Sequence, residues 1–350
     1  MKKAALLLAI ALLFMNGQTV TSQKKFERVP DAPGKWTYTH LNESKGGYRS
    51  DANYVLSPTE LAAFKKKITQ VVTTLQQNPV TANPIGFEPT VTSAIFANMF
   101  SYNYDVNRLA GKIPQAEIVI RFCILYRETA TGKSSKDCME VEHCDVWLNS
   151  MDRTMSSSGY HTYIPTLNPK PIDEAFGLMN EVFQAPEVVA TPAEGVTLYA
   201  NGRLVLARTD RPIWIPVTAG EYFDLQIRYW TLTSARDGNS IFLDMLKKEK
   251  ATFSEADLKK PAYNGENPAS LITVTPNKRP YMRFNPAYFD KQLPRSHVQL
   301  ITVALNIDLL DKNFDPNYYR RGEHYMDILR YYEYSKALDP LQLKALLDVK

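Results

Sequence analysis

The first 22 residues constrain this chain most, because they predict the compartment in which the rest must fold. Two lysines precede an unbroken apolar run over residues 4–15, and Val20 and Ser22 place small side chains at the positions expected before a cleavage site. The run is shorter than the about 20 apolar residues that span a bilayer. We therefore predict a signal peptide over 1–22 and an exported protein, periplasmic or secreted.

Composition narrows the class of protein further. The 350 residues are 44% hydrophobic and 22% charged, as is typical of a globular protein. Loss of the two leader lysines lowers the net charge from +4 to +2 (4 − 2), and without a clustered basic stripe this predicts no nucleic-acid partner. No later apolar stretch approaches membrane-spanning length, so we expect no membrane span after signal cleavage.

The order of predicted elements indicates an α+β fold. Once the leader is removed, 328 residues remain (350 − 22), more than the roughly 100 to 200 of a typical domain, so we expect two units. Ser57 and Glu60 form a capping box, and apolar residues then recur at helical spacing, which predicts a helix over 58–77. Alternating strands follow, so we predict an α+β unit over 23–167.

The second half shows the same mixture of elements. Asn201-Gly202 between two apolar runs predicts a tight β-hairpin. Thr218 and Glu221 cap a helix that is apolar on more than one side, which predicts a well-buried helix. We predict a second α+β unit over 168–350, and in each unit helices packed on a mainly antiparallel sheet.

The three cysteines lie in two runs of alternating residues, 117–127 and 138–148, which predict an antiparallel hairpin with all three thiols on its less apolar face. One register sets Cys123 opposite Cys144, and we predict a disulfide between them because an exported protein meets an oxidising environment. A shift of six residues in the pairing sum would select Cys138 instead of Cys144.

One polar loop resembles the start of a calcium-binding loop. Asp311, Asn313 and Asp315 alternate as the first ligands of such a loop do. Pro316 stands where the loop needs glycine, and Gly322 stands where it needs glutamate. We prefer a connector with Asx turns, and a metal site at the first three residues is the alternative.

No motif predicts a catalytic residue or a cofactor. The G-x-S-x-G and H-E-x-x-H patterns are absent, and the five histidines are scattered singly. Gly132-Lys133-Ser134 lacks the earlier glycine of a phosphate loop. A pair of carboxylates for glycoside hydrolysis stays open, because such pairing is spatial and leaves no spacing in the sequence.

Tyrosine is the residue type that points to binding. The chain has 20 tyrosines, and some lie beside amide or charged residues. Flat amphipathic rings in such company suit a glycan or peptide surface, although strand packing explains many of them. The candidate ligand-binding residues are Tyr102, Tyr104, Tyr318 and Tyr319.

These observations predict a binding or interaction module for an extracytoplasmic glycan or peptide. A secreted hydrolase of glycans or peptides is the alternative, and a structural envelope component is a third. A binding module should expose an aromatic patch of a few hundred Å². A hydrolase should show a pocket with converging carboxylates, or a histidine beside a nucleophile.

Overall fold

We describe the fold from a computed structural model. Predictions that fall on residues outside the described ranges, among them the signal peptide over 1–22, are not addressed by it. The described residues are 26–41, 56–96, 113–138, 143–151, 154, 182–238, 240–265, 270–277, 280–305, 315–316 and 326–348.

Helices and strands alternate irregularly along the described chain, as expected for an α+β protein. The helices are α1 (Pro58–Gln76), α2 (Pro79–Ala82), α3 (Ala219–Asp237), α4 (Ile241–Lys250), α5 (Glu255–Leu258), α6 (Met326–Ala337) and α7 (Pro340–Lys344). The strands are β1 (Phe26–Arg28), β2 (Thr37–His40), β3 (Phe87–Phe96), β4 (Gln115–Glu128), β5 (Ser134–Asp137), β6 (His143–Leu148), β7 (Phe183–Gln184), β8 (Val188–Ala193), β9 (Val196–Tyr199), β10 (Arg203–Ala207), β11 (Trp214–Pro216), β12 (Tyr263–Asn264), β13 (Ile272–Thr273), β14 (Tyr281–Phe284) and β15 (Leu300–Ala304).

One large sheet organises the molecule. Its strand order is β2-β3-β4-β6-β15-β10-β9-β8, and β1 and β5 also pair with β4. The β2–β3 pair is parallel and the other pairs are antiparallel. This confirms helices with a large, mainly antiparallel sheet.

Strands from both sides of the predicted boundary at residue 167 share this sheet. Val146 of β6 pairs with Val303 of β15, so the sheet is continuous from the N-terminal to the C-terminal part of the chain. The division into two units therefore stays a prediction, and it would have to run through a hydrogen-bonded sheet.

Local sequence signals place several elements where we expected them. Ser57 and Glu60 form the predicted capping box at the start of α1. Thr218 and Glu221 do the same for α3. Gly202, with a φ of 75°, lies in the turn between β9 and β10, a backbone conformation that glycine adopts without steric cost.

The main core lies between one face of the sheet and three helices, α1, α6 and α7. Alternate residues of β4, β6, β15 and β10 form its floor, and the helices cover them. The fully buried Phe122 of β4 lies 5.4 Å from the ring of Tyr334 of α6, centroid to centroid. The opposite face of β10 and β15 packs on a three-stranded sheet, β11-β14-β7, so every residue of β10 is buried.

The disulfide joins Cys123 to Cys138, so the predicted Cys123–Cys144 pairing is wrong. The Cα atoms of the bonded pair are 4.5 Å apart. Cys144 is a free, buried thiol whose Sγ donates to the carbonyl of Ala304, 3.6 Å away, and burial raises the pKa of this thiol.

The error has a geometric cause. We treated 138–148 as one strand, but β4 pairs with β5 and β6 in two different registers. Arg121 lies opposite His143, and Ile124 lies opposite Asp137. Three residues of β4 therefore correspond to six residues of the chain that pairs with it, from 143 back to 137. An odd offset exchanges the two faces of a strand, and it moves Cys144 from the face of Cys123 to the core face beside Ile120.

A third region consists of α3, α4 and α5 with the short β12–β13 pair. Helices α3 and α4 pack on each other as an antiparallel hairpin, and α5 lies against α3. Phe223 and Leu246 belong to its small core. Asp224 of α3 forms an ion pair with Lys250 of α4, with 2.5 Å between Oδ1 and Nζ. This pair links the first turns of α3 to the last residue of α4.

Candidate functional site

Most of the residues predicted to bind a ligand lie outside the described ranges. These are Tyr102, Tyr104, Tyr318, Tyr319, Asp311 and Asn313, and their roles stay predictions. Asp315 is described and exposed. Within the described ranges, no group of three or more histidine, cysteine or acidic side chains is arranged to hold a metal ion.

One histidine does contact a hydroxyl group. Ser93 Oγ lies 2.7 Å from Nδ1 of His40 and 2.9 Å from the hydroxyl of Tyr38, at the pairing of β2 with β3. Burial, and to a smaller extent the positive charge of Lys65, lowers the pKa of His40. A neutral imidazole beside a serine is the first requirement of nucleophilic catalysis.

The other requirements are not met among the described residues. Ser93 is only 1% exposed, so a substrate has no path to its oxygen. The second ring nitrogen of His40, Nε2, is buried without a hydrogen-bond partner, whereas a catalytic base is oriented by a third group through that nitrogen. The cluster therefore links β2 to β3, and its hydroxyl is buried.

A second polar cluster surrounds Arg208. Its guanidinium forms a two-pronged contact with Asp210, at 2.6 and 2.7 Å, and also donates to the side chain of Gln299 and the carbonyl of Tyr288. Arg208 lowers the pKa of the Asp210 carboxyl through these hydrogen bonds. These contacts engage all three guanidinium nitrogens of Arg208. The cluster therefore links the loops that follow β10 and β14.

An open hollow of about 440 Å³ lies beside this cluster. Arg211 borders it, but the arginine donates to the carbonyl of Ala287 at 2.9 Å and lies near Asp210 and Asp290. The cation is therefore balanced by two carboxylates. Lys291 also lines the hollow, so its surface carries two basic side chains and Asp290.

The feature that packing does not explain is an apolar surface on the α3–α4 hairpin. Ile241 is 65% exposed, Phe242 49% and Met245 48%. The ring of Phe242 stacks on that of Trp230, with centroids 4.7 Å apart and planes 21° from parallel, and Trp230 is half-buried. We call Trp230, Ile241, Phe242 and Met245 the hairpin surface.

Helical geometry accounts for this exposure. Gly238, with a φ of 70°, ends α3 in the left-handed conformation typical of a helix C-terminus, and α4 starts three residues later. Successive residues of α4 are about 100° apart around its axis. Leu243 and Leu246 are buried against α3, so the side chains between them point outward.

The prediction that α3 is well buried is wrong for most of its length. Its first turns supply the buried Tyr222 and Phe223. The remaining apolar residues are only half-buried. Helices α4 and α5 pack on α3, and β14 contacts its start through Tyr281, whose ring lies 4.6 Å from that of Tyr222, centroid to centroid. The half-buried residues are Leu225, Ile227, Tyr229, Trp230 and Leu232.

Our sequence analysis missed α4 altogether, although a signal was present. Five of its first six residues are apolar, with Asp244 the exception, and five such residues cannot all face one neighbouring helix. A short helix whose apolar residues span more than one face must either be enclosed on those faces or contribute to an exposed surface. The sequence alone does not distinguish these outcomes.

The hairpin surface is comparable in size to the largest apolar patch of an ordinary protein. Three side chains of roughly 200 Å² each, about half exposed, contribute roughly 300 Å² of apolar area, which falls in the range of the largest patch on a typical protein. No helix in the described part of the chain is long and apolar enough to span a membrane. Comparison of the chain with protein-family models, with curated proteins and with solved structures found no match.

Proposed function

We propose that this protein is an exported interaction module that binds a peptide or protein segment through the hairpin surface. The observation that carries the proposal is the exposure of Ile241, Phe242 and Met245 beside the Trp230 ring. An apolar patch rimmed by charged residues marks a site of protein interaction more often than a structural accident. Lys247 and Lys248 supply part of that rim.

The composition of the surface favours a peptide over a glycan. Sugars bind on flat aromatic rings that have hydrogen-bonding groups at their edges. Ile241 and Met245 offer neither, whereas branched and flexible apolar side chains fill the pockets between the side chains of another polypeptide. Isoleucine, phenylalanine and methionine within five positions form the anchor pattern of a helix that docks in an apolar groove.

The location is part of the same proposal. The disulfide between Cys123 and Cys138 is a bond that forms and persists in oxidising compartments. This supports the export that residues 1–22 predict, to the periplasm or the medium. A binding module in either of these compartments meets exposed polypeptide segments of other exported proteins.

The peptide proposal can be tested by selection. Random peptides displayed on phage are selected against the exported chain, and the affinities of the enriched peptides are measured by biolayer interferometry. We expect the double variant I241K/M245K to lose at least about tenfold in affinity, or about 1.4 kcal/mol, because it places two charges in the contact.

The matched control is V188K/V189K, which introduces the same charges at two exposed valines of the edge strand β8. Its affinity should change by less than about twofold. Equal losses in both variants would contradict the hairpin surface as the binding site. A glycan-array signal without any peptide enrichment would contradict the choice of ligand.

A hydrolase is the second candidate, and the contact between Ser93 and His40 is the observation that favours it. A fluorophosphonate probe reacts covalently with an activated serine, so labelling that disappears in Ser93→Ala would identify a catalytic site. Because Ser93 is buried, we expect no labelling of the folded protein.

A further inference from the structure

We propose that the partner of the hairpin surface is a second copy of this chain, joined through antiparallel packing of α4 on α4. This inference rests on the proposed function, because it requires the hairpin surface to be an interaction surface. It adds the identity and the geometry of the partner.

Charge placement on α4 is the first argument. Taking about 100° per residue, Asp244, Lys248, Ile241, Met245 and Phe242 lie in that order within about 160° of the helix circumference. The apolar stripe is thus bordered along one side by one acidic and one basic residue. Asp244 accepts a hydrogen bond from the hydroxyl of Ser240, 3.2 Å away, within its own helix turn.

The positions of these two charges make the helix complementary to itself. Asp244 and Lys248 are two residues before and two residues after the level of Leu246. A two-fold axis at that level sets Asp244 of each copy against Lys248 of the other, in two identical pairs. A symmetric dimer requires this reciprocity, in which residue i contacts j and j contacts i.

The same axis brings the two Met245 side chains together near the centre of the contact. Methionine is flexible and polarisable, which suits a position that meets its own copy. The antiparallel arrangement also aligns the helix dipoles favourably.

Charge argues against a lipid surface as the partner. From 240 to 260 the chain carries five lysines and four acidic residues, a net charge of +1 (5 − 4). Asp244 lies on the exposed face itself, so an anionic membrane would gain little there. Glu249 lies on the same side of the helix, between the directions of Met245 and Phe242, but its carboxylate accepts hydrogen bonds from the backbone amides of Leu271 and Ile272.

The area sets the strength of the dimer. Two patches of roughly 300 Å² bury roughly 600 Å² of apolar surface, and the bordering charged side chains bring the total close to the lower limit of about 1,200 Å² for stable complexes. We therefore expect a weak dimer that dissociates on dilution.

Sedimentation equilibrium from about 5 to about 500 µM tests the inference. We expect concentration-dependent dimerisation of the exported chain. D244K and K248D should each weaken the dimer about tenfold or more, because each places like charges opposite each other. The double variant D244K/K248D should restore association to within about threefold of the original.

Mixing the two single variants gives the sharpest result. Each alone presents like charges to its copy, but a D244K chain and a K248D chain present opposite charges to each other, so the mixture should associate more strongly than either variant alone. E255K and K259D carry the same charge changes on or beside the exposed helix α5 and should leave the dimer unchanged. Circular-dichroism melting confirms that every variant is folded.

A chain that stays monomeric throughout this range, or a dimer that is indifferent to the charge reversals, would overturn the inference. Dimerisation that the reversals weaken but that the mixture does not restore would overturn the antiparallel arrangement and the inference with it. A monomer that still selects peptides through Ile241 and Met245 would overturn this inference alone and leave the proposed function standing.

Discussion

Helices α1 and α3 have the same length, 19 residues, and the same kind of start, a capping box, but their apolar residues have different surroundings. In α1 the apolar stripe is buried against the sheet, from Phe64 to Leu75. In α3 only the first turns are enclosed, and Trp230 shares an exposed surface with Phe242.

The difference separates a region devoted to stability from one that is available for contact. The face of the sheet under α1 is continuous with the main core, so each side chain there has neighbours on every side. The α3–α4 hairpin shares a smaller core with Ala262 and Ile272, and its apolar side chains near Phe242 remain exposed. Substitutions in the two regions should therefore affect stability to different extents.

The largest expected effect is in the main core. Phe122→Ala removes a fully buried ring that contacts Tyr334 and Phe87, and we expect a loss of about 3 to 5 kcal/mol in the free energy of unfolding. Urea titration followed by circular dichroism measures it. A loss below about 1 kcal/mol would show that the sheet face is not the stable region that we describe.

The second prediction concerns the disulfide at the edge of that sheet. Cys138→Ser opens a bridge with a sequence separation of 15 and should cost about 3 kcal/mol, whereas Cys144→Ala leaves the bridge intact. Peptide mapping should find Cys123 linked to Cys138. A Cys123–Cys144 peptide in the native protein would overturn the register of β5 and β6.

The third prediction concerns the junction between α1 and α6. The side chain of Asn78 caps α2 through the amide of Val80 and donates to the carbonyl of Tyr334, at 3.0 and 2.9 Å. Asn78→Ala removes both bonds and should cost about 1 to 2 kcal/mol in thermal or urea unfolding. Asn83→Ala, on an exposed residue nearby, is the control and should change stability by less than about 0.5 kcal/mol.

The fourth prediction returns to the hairpin. Phe242→Ala deletes a half-exposed ring and one aromatic contact, so the free energy of unfolding should fall by only about 1 kcal/mol. Peptide binding or dimerisation should fall much more. Equal losses in stability from Phe242→Ala and Phe122→Ala would remove the contrast between the two regions.

The smallest expected effect concerns pH. The pKa of His40 is lowered from 6.5 in the folded protein, so the unfolded chain binds more protons at mildly acidic pH. Stability attributable to His40 is thus complete above pH 6.5 and declines as the pH falls from there through the folded pKa. His40→Gln should lose this part of the pH dependence, and no difference from the parent over that range would contradict it.

Much of the local structure was predictable from the sequence. The capping boxes of α1 and α3 and the Asn201-Gly202 hairpin appear where the sequence indicated. Each depends on residues within about four positions of one another, and such signals act in the same way in any fold.

The predictions that failed depend on more than residues a few positions apart. The cysteine pairing failed because a strand that reads as continuous from 138 to 148 pairs in two registers with β4. The prediction that α3 is well buried failed because an apolar pattern shows which residues a helix is able to bury. It does not show which other segment packs on them. Helix α4 was missed because it is only ten residues long and Ser240 at its start makes no side-chain cap that would signal a helix N-terminus.

The sequence by itself determined the ends of helices, the tight turn after β9 and the alternation of strand residues, because these depend on backbone geometry and on partners a few residues away. Only the tertiary structure decided that Cys138 bonds Cys123, that one sheet joins both halves of the chain, and that Phe242 faces outward. These outcomes depend on strand register and on packing between segments distant in the chain, which no local pattern encodes.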